Sequence, residues 1–220
     1  MVKTVIFDMD GVIVDTEPLH HAAYYEHFRH LNIDVSAEMY ASFTGLSTIN
    51  TYQKLKETFA LEHDIEDLVG YKRKFFNAIF DTHEALGLLP GVLTLIQDLY
   101  ANGMQLVLAS SASKVTIKRV FGRFELHQYF THTVSGEDFP KSKPDPAIFI
   151  EAARLAGTPV SECIVIEDST NGIKAAKDAG IYCIAYKSAN TKPQDLSLAK
   201  KVINHFDELN YNIVHNLDTK

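Results

Sequence analysis

Short apolar runs recur along the chain, and each predicts a strand of a sheet that is buried on both faces. The predicted strands are Thr4–Asp8, Gln105–Ala109, Thr131–Ser135, Cys163–Ile166, Tyr182–Tyr186 and Lys201–Asn204. Helical spacing of apolar residues lies between them, as in Val92–Leu99, where they recur at i, i+3, i+4 and i+7. We therefore predict an α/β fold with a doubly wound parallel sheet of the Rossmann-like type.

Two helix starts can be predicted from their capping residues. Asp145 and Pro146 are typical of an N-cap and a first helical residue. Ser169 or Thr170 is expected to cap a short helix that closes at Gly180.

One long stretch breaks the alternation of strands and helices. No convincing strand occurs from about residue 17 to residue 89, where the apolar and aromatic residues have helical spacing. The two clearest stripes are Tyr24, Phe28 and Leu31, and Phe75, Phe76, Ile79 and Phe80. We expect residues 1–16 and 90–220 to form the α/β catalytic core and residues 17–89 an inserted, all-helical cap.

Composition and charge exclude several classes of protein. The chain has 220 residues, of which 46% are hydrophobic and 22% charged, and its net charge is −7. This charge disfavours nucleic acid and anionic membranes as partners, and no apolar stretch approaches the ~18 residues of a spanning helix. Cys163 and Cys183 lack the spacing of metal ligands, and the N-terminus reaches Asp8 too early for a secretion leader. We expect a cytoplasmic monomer that binds a small molecule.

A carboxylate pair follows the first predicted strand. Asp8 and Asp10 are two residues apart and thus share one side, and Gly11 allows a sharp turn after them. The pair is suited to hold a divalent cation, or to divide the work between a nucleophile and a proton carrier. The simpler alternative is an ordinary turn that contains two aspartates.

The next strand leads into Ser110 and Ser111, where hydroxyl and amide groups suit an oxyanion or a phosphate. An N-cap serine is the simpler interpretation. Lys143 offers a compact charge for a phosphate, with Lys141 as the competing candidate and a solvated loop lysine as the alternative.

Glu167 and Asp168 end the very apolar fourth strand and suit a hard cation, although helix capping is again the simpler alternative. The four strand ends together supply two carboxylate pairs, hydroxyls and an amine. Because parallel strands place their carboxyl ends at one edge, this set predicts phosphoryl transfer.

The same residues resemble a known family. The four motifs of the haloacid dehalogenase superfamily are matched by Asp8-Met-Asp10-Gly-Val-Ile-Val-Asp-Thr16, Leu108-Ala-Ser110, Lys143-Pro-Asp-Pro and Ile166-Glu-Asp168-Ser-Thr-Asn-Gly172. A helical cap after the first motif is similar to the beta-phosphoglucomutase-like branch.

The resemblance implies specific roles for these residues. Asp8 would attack phosphorus and form an aspartyl-phosphate, and Asp10 would protonate the leaving group and then activate water. Ser110, with Ser111, and Lys143 would bind the phosphoryl group. The implied cofactor is Mg²⁺, held by Asp8, the Asp10 carbonyl and Asp168, with Glu167 a ligand directly or through water.

The cap bears on the choice between a hydrolase and a mutase. Thr16, His20 and the loop residues Gly45, Ser47 and Thr48 match substrate and hinge positions by resemblance. Thr48 stands where beta-phosphoglucomutase has an arginine for a second phosphate. Asn77 and Ala78 stand where a cap lysine is expected, and Lys72–Lys74 is interpreted as a solvated face.

The favoured function is a Mg²⁺-dependent phosphatase of a small phosphorylated metabolite, with a sugar phosphate as the preferred class. The alternative is a beta-phosphoglucomutase-type sugar-phosphate mutase. A phospho-acceptor signalling module ranks lower, because it needs neither Asp10 nor a large cap. The histidines around His20 and His27 are interpreted as exposed or packed within the cap, since their spacing does not support a zinc site.

Overall fold

The computed structural model describes residues 1–187 and 194–219. The strands are β1 (Thr4–Phe7), β2 (Gln105–Ser110), β3 (His132–Ser135), β4 (Cys163–Glu167), β5 (Tyr182–Tyr186) and β6 (Lys201–Ile203). The helices are α1 (Glu17–His30), α2 (Ala37–Ala41), α3 (Thr48–Phe59), α4 (Ile65–Thr82), α5 (Val92–Ala101), α6 (Lys114–Arg123), α7 (Ala147–Leu155), α8 (Thr170–Asp178) and α9 (Tyr211–His215).

The six strands form one parallel sheet in the order β3-β2-β1-β4-β5-β6. Alternate residues of each strand enter separate apolar clusters on the two faces: Val5 and Phe7 of β1 join one cluster, and Ile6 joins the other. Both faces are therefore covered, as a parallel sheet requires. The predicted doubly wound α/β fold is confirmed, and this strand order places the switch point between β1 and β4.

The segment at residues 17–89, called the cap segment below, contains α1 to α4 between β1 and α5. It has an apolar cluster of its own, which includes Tyr24, Phe28 and Tyr52. Phe76 and Phe80 at the end of α4 instead pack into the cluster on one face of the sheet. The predicted stripes are thus core residues, in two different clusters. The division into a catalytic core and a cap domain stays a prediction.

Most predicted element ends are close to the observed ones. Helix α7 begins at Ala147, one residue later than predicted, with Pro146 at the N-cap position. The carboxylate of Asp145 still accepts a hydrogen bond from the Ala147 amide at 3.0 Å. Ser169, rather than Thr170, caps α8 by accepting from the Gly172 amide at 3.0 Å. In the part of the chain that is described, no helix has the length and apolarity needed to cross a membrane.

Candidate active site

The sequence-predicted residues meet at the switch point of the sheet. Asp8 follows β1 directly, Ser110 ends β2, and Glu167 ends the neighbouring β4. Backbone pairing of Phe7 with Leu108 on one side and Ile166 on the other brings these ends level. Ligands of open α/β sheets bind in the crevice outside such a switch point.

Lys143 joins two of these strand ends. Its Nζ donates to Asp8 Oδ1 at 2.5 Å, to Glu167 Oε1 at 2.8 Å and to the Ala109 carbonyl oxygen at 3.1 Å. The lysine side chain is 1% exposed. Burial alone would lower the pKa of Lys143, but the Asp8 and Glu167 carboxylates outweigh it and raise the pKa above its ordinary value. The lysine is therefore a permanent positive charge beside Asp8.

The second oxygen of Glu167 binds the start of α8. Glu167 Oε2 accepts from the amides of Asp168 and Ser169, each at 2.8 Å, and from the Ser169 hydroxyl at 2.9 Å. Gly172 makes room for this carboxylate, since a Cβ there would lie 1.8 Å from Glu167 Oε1. Both oxygens of Glu167 thus have protein partners, and the side chain orients Lys143.

The residues present fit a hard divalent cation. Asp168 reaches over the loop after β1, where a Cβ on Gly11 would lie 2.1 Å from Asp168 Oδ2, and Gly11 itself has a φ of +83°. Burial, opposed by Lys143 and reinforced by Glu167 and Asp10, raises the pKa of Asp8 to about 7. This excess of buried negative charge on oxygen donors is what Mg²⁺ would neutralise.

Side chains alone do not complete a metal site. Among the residues described, no three His, Cys, Asp or Glu side chains are grouped as metal ligands. Glu167 is held by Lys143 and the start of α8, and the Asp10 carboxylate is directed towards the cap segment. A cation here would depend on Asp8, Asp168 and a main-chain oxygen, and the use of the Asp10 carbonyl stays a prediction.

The Asp10 carboxylate contacts α1. Its Oδ1 accepts a short hydrogen bond from the hydroxyl of Thr16 and lies 3.6 Å from Nε2 of His20. Burial raises the pKa of Asp10, but His20, Thr16 and Lys72 together outweigh burial and lower it below its ordinary value. The pKa values of the two neighbouring aspartates are thus shifted in opposite directions, that of Asp8 upwards and that of Asp10 downwards.

Lys72 is a buried neighbour of the candidate site that the sequence did not predict. The expectation of a solvated face is wrong for this residue, which is 2% exposed and has Nζ at 2.7 Å from His20 Nδ1. Burial lowers the pKa of Lys72 to about 7, and burial together with Lys72 lowers that of His20. A signal was present: Lys72 lies four residues from Leu68 and Phe76, which share the buried face of α4.

The loop before α3 contacts the residues that follow β2 and β4. The Ser111 hydroxyl donates to the Gly45 carbonyl oxygen at 2.7 Å, and Asn171 Nδ2 donates to that of Thr44 at 2.8 Å. Ser110 is fully buried, and its hydroxyl accepts from the Ala112 amide at 3.0 Å. Ser111 therefore links the end of β2 to the cap segment, and Asn171 links the start of α8 to it.

A cavity of about 90 Å³ lies between the strand ends and the cap segment, and Ser110, Lys143 and Glu167 lie behind its wall rather than in its lining. The sheet side contributes Asp8, Asp10, Gly11, Ser111, Ala112, Asp168 and Ser169. The cap segment contributes Glu17, His20, Tyr24, Tyr40, Phe43, Thr44, Gly45, Leu46 and Thr48. Of the predicted hinge and substrate residues, His20, Gly45 and Thr48 thus line the cavity. Ser47 does not line it and instead caps α3 through the Asn50 amide at 3.2 Å.

Comparison with known proteins identifies the family. A family model described as haloacid dehalogenase-like hydrolase matches residues 5–186. The chain belongs to this family. The resemblance seen in the four motifs is confirmed, and so is the prediction that the protein is an enzyme.

Curated relatives of this haloacid dehalogenase-like chain include both expected activities. CbbY of Cereibacter sphaeroides is 27% identical over 95% of this chain and 94% of its own length. Beta-phosphoglucomutase of Bacillus subtilis is 27% identical over 97% and 94%, and hexitol phosphatase B of Escherichia coli is 29% identical over 79% and 78%. The longer SUPPRESSOR OF QUENCHING 1 protein of Arabidopsis thaliana is 31% identical, but the chain covers only 18% of its length.

A solved structure supports the same branch of the family. A mutant of CbbY from Rhodobacter sphaeroides in complex with xylulose-(1,5)bisphosphate has a TM-score of 0.84 and 26% identity to this chain. The match covers 99% of this chain and 100% of that structure. The helical segment between β1 and α5 is thus part of the shared architecture.

Proposed function

We propose that this haloacid dehalogenase-like protein is a Mg²⁺-dependent phosphatase that hydrolyses a small phosphorylated metabolite, with sugar phosphates as the preferred class. The observation that carries the proposal is the buried contact between Lys143 and Asp8 at the switch point, 2.5 Å long. A cation beside a buried carboxylate suits an attacking group that must approach an anionic phosphate.

In the proposed reaction, an Asp8 oxygen forms a bond to phosphorus as the bond from phosphorus to the ester oxygen breaks. Asp10 gives a proton to the departing alcohol and later takes one from the water that attacks the aspartyl-phosphate. This second step releases inorganic phosphate and restores Asp8. The lowered pKa of Asp10 keeps its carboxylate ionised once it has given up its proton, so it is available as the base for the attacking water.

The protons of Asp10 have a route into the cap segment. Thr16 and His20 contact its carboxylate, and Lys72 donates to the far nitrogen of His20. We assign Thr16, His20 and Lys72 to the orientation of Asp10 and to proton supply during the two steps.

The proposed metal ligands are Asp8, the Asp10 carbonyl oxygen and Asp168, and Glu167 acts on them through Lys143. Bound Mg²⁺ supplies positive charge that keeps Asp8 ionised and offsets the charge of the phosphate. We assign the phosphate oxygens to Ser111 and the amides after β2, with Ser110 fixing this loop through its contact with the Ala112 amide.

The mutase alternative is favoured by one specific observation, the similarity to beta-phosphoglucomutase over nearly the whole chain. A mutase must hold a second phosphate while the first one transfers. Thr48, which lines the cavity at the first residue of α3, offers a hydroxyl there and no positive charge. Hydrolysis is therefore the proposed outcome.

The decisive experiment is turnover of a panel of phosphorylated sugars, polyols and nucleotides with and without Mg²⁺. Free phosphate and isomerised product are measured in the same samples. We expect phosphate release that requires Mg²⁺ and no accumulation of isomer. Isomerised glucose phosphate with only slow phosphate release would overturn the assignment in favour of the mutase.

The proposed setting is the cytoplasm, with the protein acting as a monomer. Cys163 and Cys183 are both free and buried. Burial raises the pKa of Cys163 to about 12, so its thiol is unreactive. Unpaired cysteines of this kind suit a reducing compartment.

A further inference from the structure

The turn at Gly136–Asp138, which follows β3, contacts the loop after β2. Just before the turn, the buried Ser135 donates its hydroxyl to the Ala112 carbonyl oxygen at 2.7 Å. Gly136 lies so close to the loop that a Cβ there would be 2.9 Å from the Ser111 Cα. The turn therefore supports the loop to which the proposed function assigns the phosphate oxygens.

Glu137 in this turn joins two separate parts of the molecule. Its Oε2 accepts from the Lys114 amide at 2.9 Å, and Lys114 is the first residue of α6. Its Oε1 accepts from Nη2 of Arg73, on α4 of the cap segment, at 2.6 Å. One carboxylate thus connects the cap segment with the helix that follows the loop after β2.

The ion pair between Arg73 and Glu137 affects the charge near this loop. The two side chains are 33% and 25% exposed, so water screens their interaction only in part. The neighbouring Asp138 is paired with the Lys114 ammonium group at 2.5 Å, and Arg73 is the cation that contacts Glu137. A carboxylate beside an anion-binding loop disfavours the anion unless a cation neutralises it. Arg73 supplies that charge although neither residue of the pair lines the cavity.

A second ion pair between α4 and α6 provides an internal comparison. Asp81 lies about two turns beyond Arg73 on α4 and accepts from Arg119 Nη1 through both oxygens, at 2.5 and 2.7 Å. Arg119 lies in the middle of α6, past the first turn of that helix. This pair therefore links the same two helices at a greater distance from the loop after β2.

We propose that Arg73 and Glu137 are positioning residues for the phosphoryl group. Glu137 fixes the loop after β2 and the start of α6, and Arg73 neutralises the Glu137 carboxylate from the cap segment. The affinity for phosphate therefore depends on a residue of α4 that does not touch it. This inference rests on the proposed binding of phosphate at that loop, and it adds two residues that lie outside the four sequence motifs.

The test measures inhibition by inorganic phosphate together with kcat and KM. Arg73→Met leaves the Glu137 carboxylate without its cation, so KM and the inhibition constant of phosphate should both rise about fivefold, the upper range for a partly exposed ion pair. We expect kcat to change less than about twofold, because the contacts of Asp8 and Asp10 are kept. A lower kcat with both constants unchanged would mean that the pair only stabilises the fold, and would overturn the proposal.

A second substitution tests whether Arg73 acts through Glu137. In the double variant Arg73→Met/Glu137→Gln no carboxylate is left to neutralise, so the inhibition constant should return to within about twofold of wild type. Arg73→Lys keeps the charge and should give the same recovery. Glu137→Ala also removes the acceptor of the Lys114 amide, and the inhibition constant should rise about threefold or more. If Glu137→Ala folds poorly, the Arg73 variants still decide the question.

Arg119→Met is the matched control, because it removes the comparison pair between the same two helices. Its KM and inhibition constant should equal those of wild type. An effect as large as that of Arg73→Met would show that any contact between α4 and α6 suffices, and would contradict the proposal. Unchanged inhibition in Arg73→Met, or a double variant as weak as Arg73→Met alone, would contradict it as well.

Calorimetry of phosphate binding separates this inference from the proposed function, since it needs no turnover. The expected pattern of affinities without phosphate release from any ester would support the pair and overturn only the phosphatase proposal. A wild-type protein that releases phosphate from esters but shows neither binding of nor inhibition by inorganic phosphate would overturn the inference and leave the phosphatase proposal standing.

Discussion

The ammonium group of Lys72 lies 2.7 Å from Nδ1 of His20, although the two residues are 52 positions apart in the chain. The contact requires α1 and α4 to pack against each other, with the His20 ring stacked on Phe76 at 4.3 Å between centres. Lys72 contacts Nδ1 of the His20 ring, and the other ring nitrogen, Nε2, lies 3.6 Å from Asp10 Oδ1. A residue deep in the cap segment therefore acts on the proposed acid/base through one intermediate ring.

Replacing Lys72 should impair catalysis while sparing the fold. Lys72→Met removes the donor that orients His20 and fills the same buried space with an apolar chain, so we expect kcat to fall roughly tenfold or more. The thermal midpoint should stay the same or rise, because a buried amine is lost. Lys74→Met, at an exposed position two residues further along α4, is the matched control. Equal activity of the two variants would remove Lys72 from the proton route.

The two aspartates after β1 should fail at different steps. Asp8→Asn removes the proposed nucleophile and should abolish turnover. If this variant kept more than a few per cent of the wild-type activity, the covalent mechanism would be wrong. Asp10→Asn should allow slow phosphorylation of Asp8 but block release of the phosphate, since the amide cannot accept a proton from water. Intact mass measurement after mixing with substrate distinguishes the two: only Asp10→Asn should retain an added phosphoryl group.

Lys143 should contribute to both stability and activity. Lys143→Met leaves the Asp8 and Glu167 carboxylates buried without their cation, so we expect a loss of about 3 kcal/mol in unfolding free energy. Turnover should fall at least about a hundredfold, because a positive charge beside the attacked phosphate is lost. Urea unfolding with a chelator present measures the first effect. Lys141→Met, at an exposed loop position, should match wild type in both assays, and a similar loss there would point to the loop rather than to the buried amine.

The stability of the cap segment should fall in acid. Burial, with His30 and His63 nearby, lowers the pKa of His27 from 6.5 to about 4. Between these values the unfolded state binds more protons than the folded one, so stability falls as the pH decreases from 6.5 towards 4. His27→Gln should be less stable at neutral pH, because the contact of Nδ1 with the Tyr52 hydroxyl at 2.5 Å is altered, yet less sensitive to acid. Unfolding midpoints measured across this pH range give the comparison, and parallel curves would contradict it.

Residues whose role depends on local position were predictable from the sequence alone. Asp8, Asp10, Ser110 and Glu167 lie at the ends of apolar strands or just after them, and parallel pairing brings strand ends together. The strands were predictable for the same reason, since a run buried on both faces is apolar throughout. The cap segment was predictable as helical because its apolar residues repeat at helical spacing.

Only the tertiary structure decided which side chains meet across the chain. Three adjacent basic residues on a helix are typical of a solvated face, yet the packing of α4 buries Lys72 against His20 and leaves Lys74 exposed. Glu167 was a credible metal ligand from its position alone, but in the fold its two oxygens are held by Lys143 and the start of α8. The sequence around each strand end determined which chemical groups lie at the edge of the sheet. The packing of distant helices decided which side chains these groups contact, because contacts between remote residues leave no periodicity in the sequence.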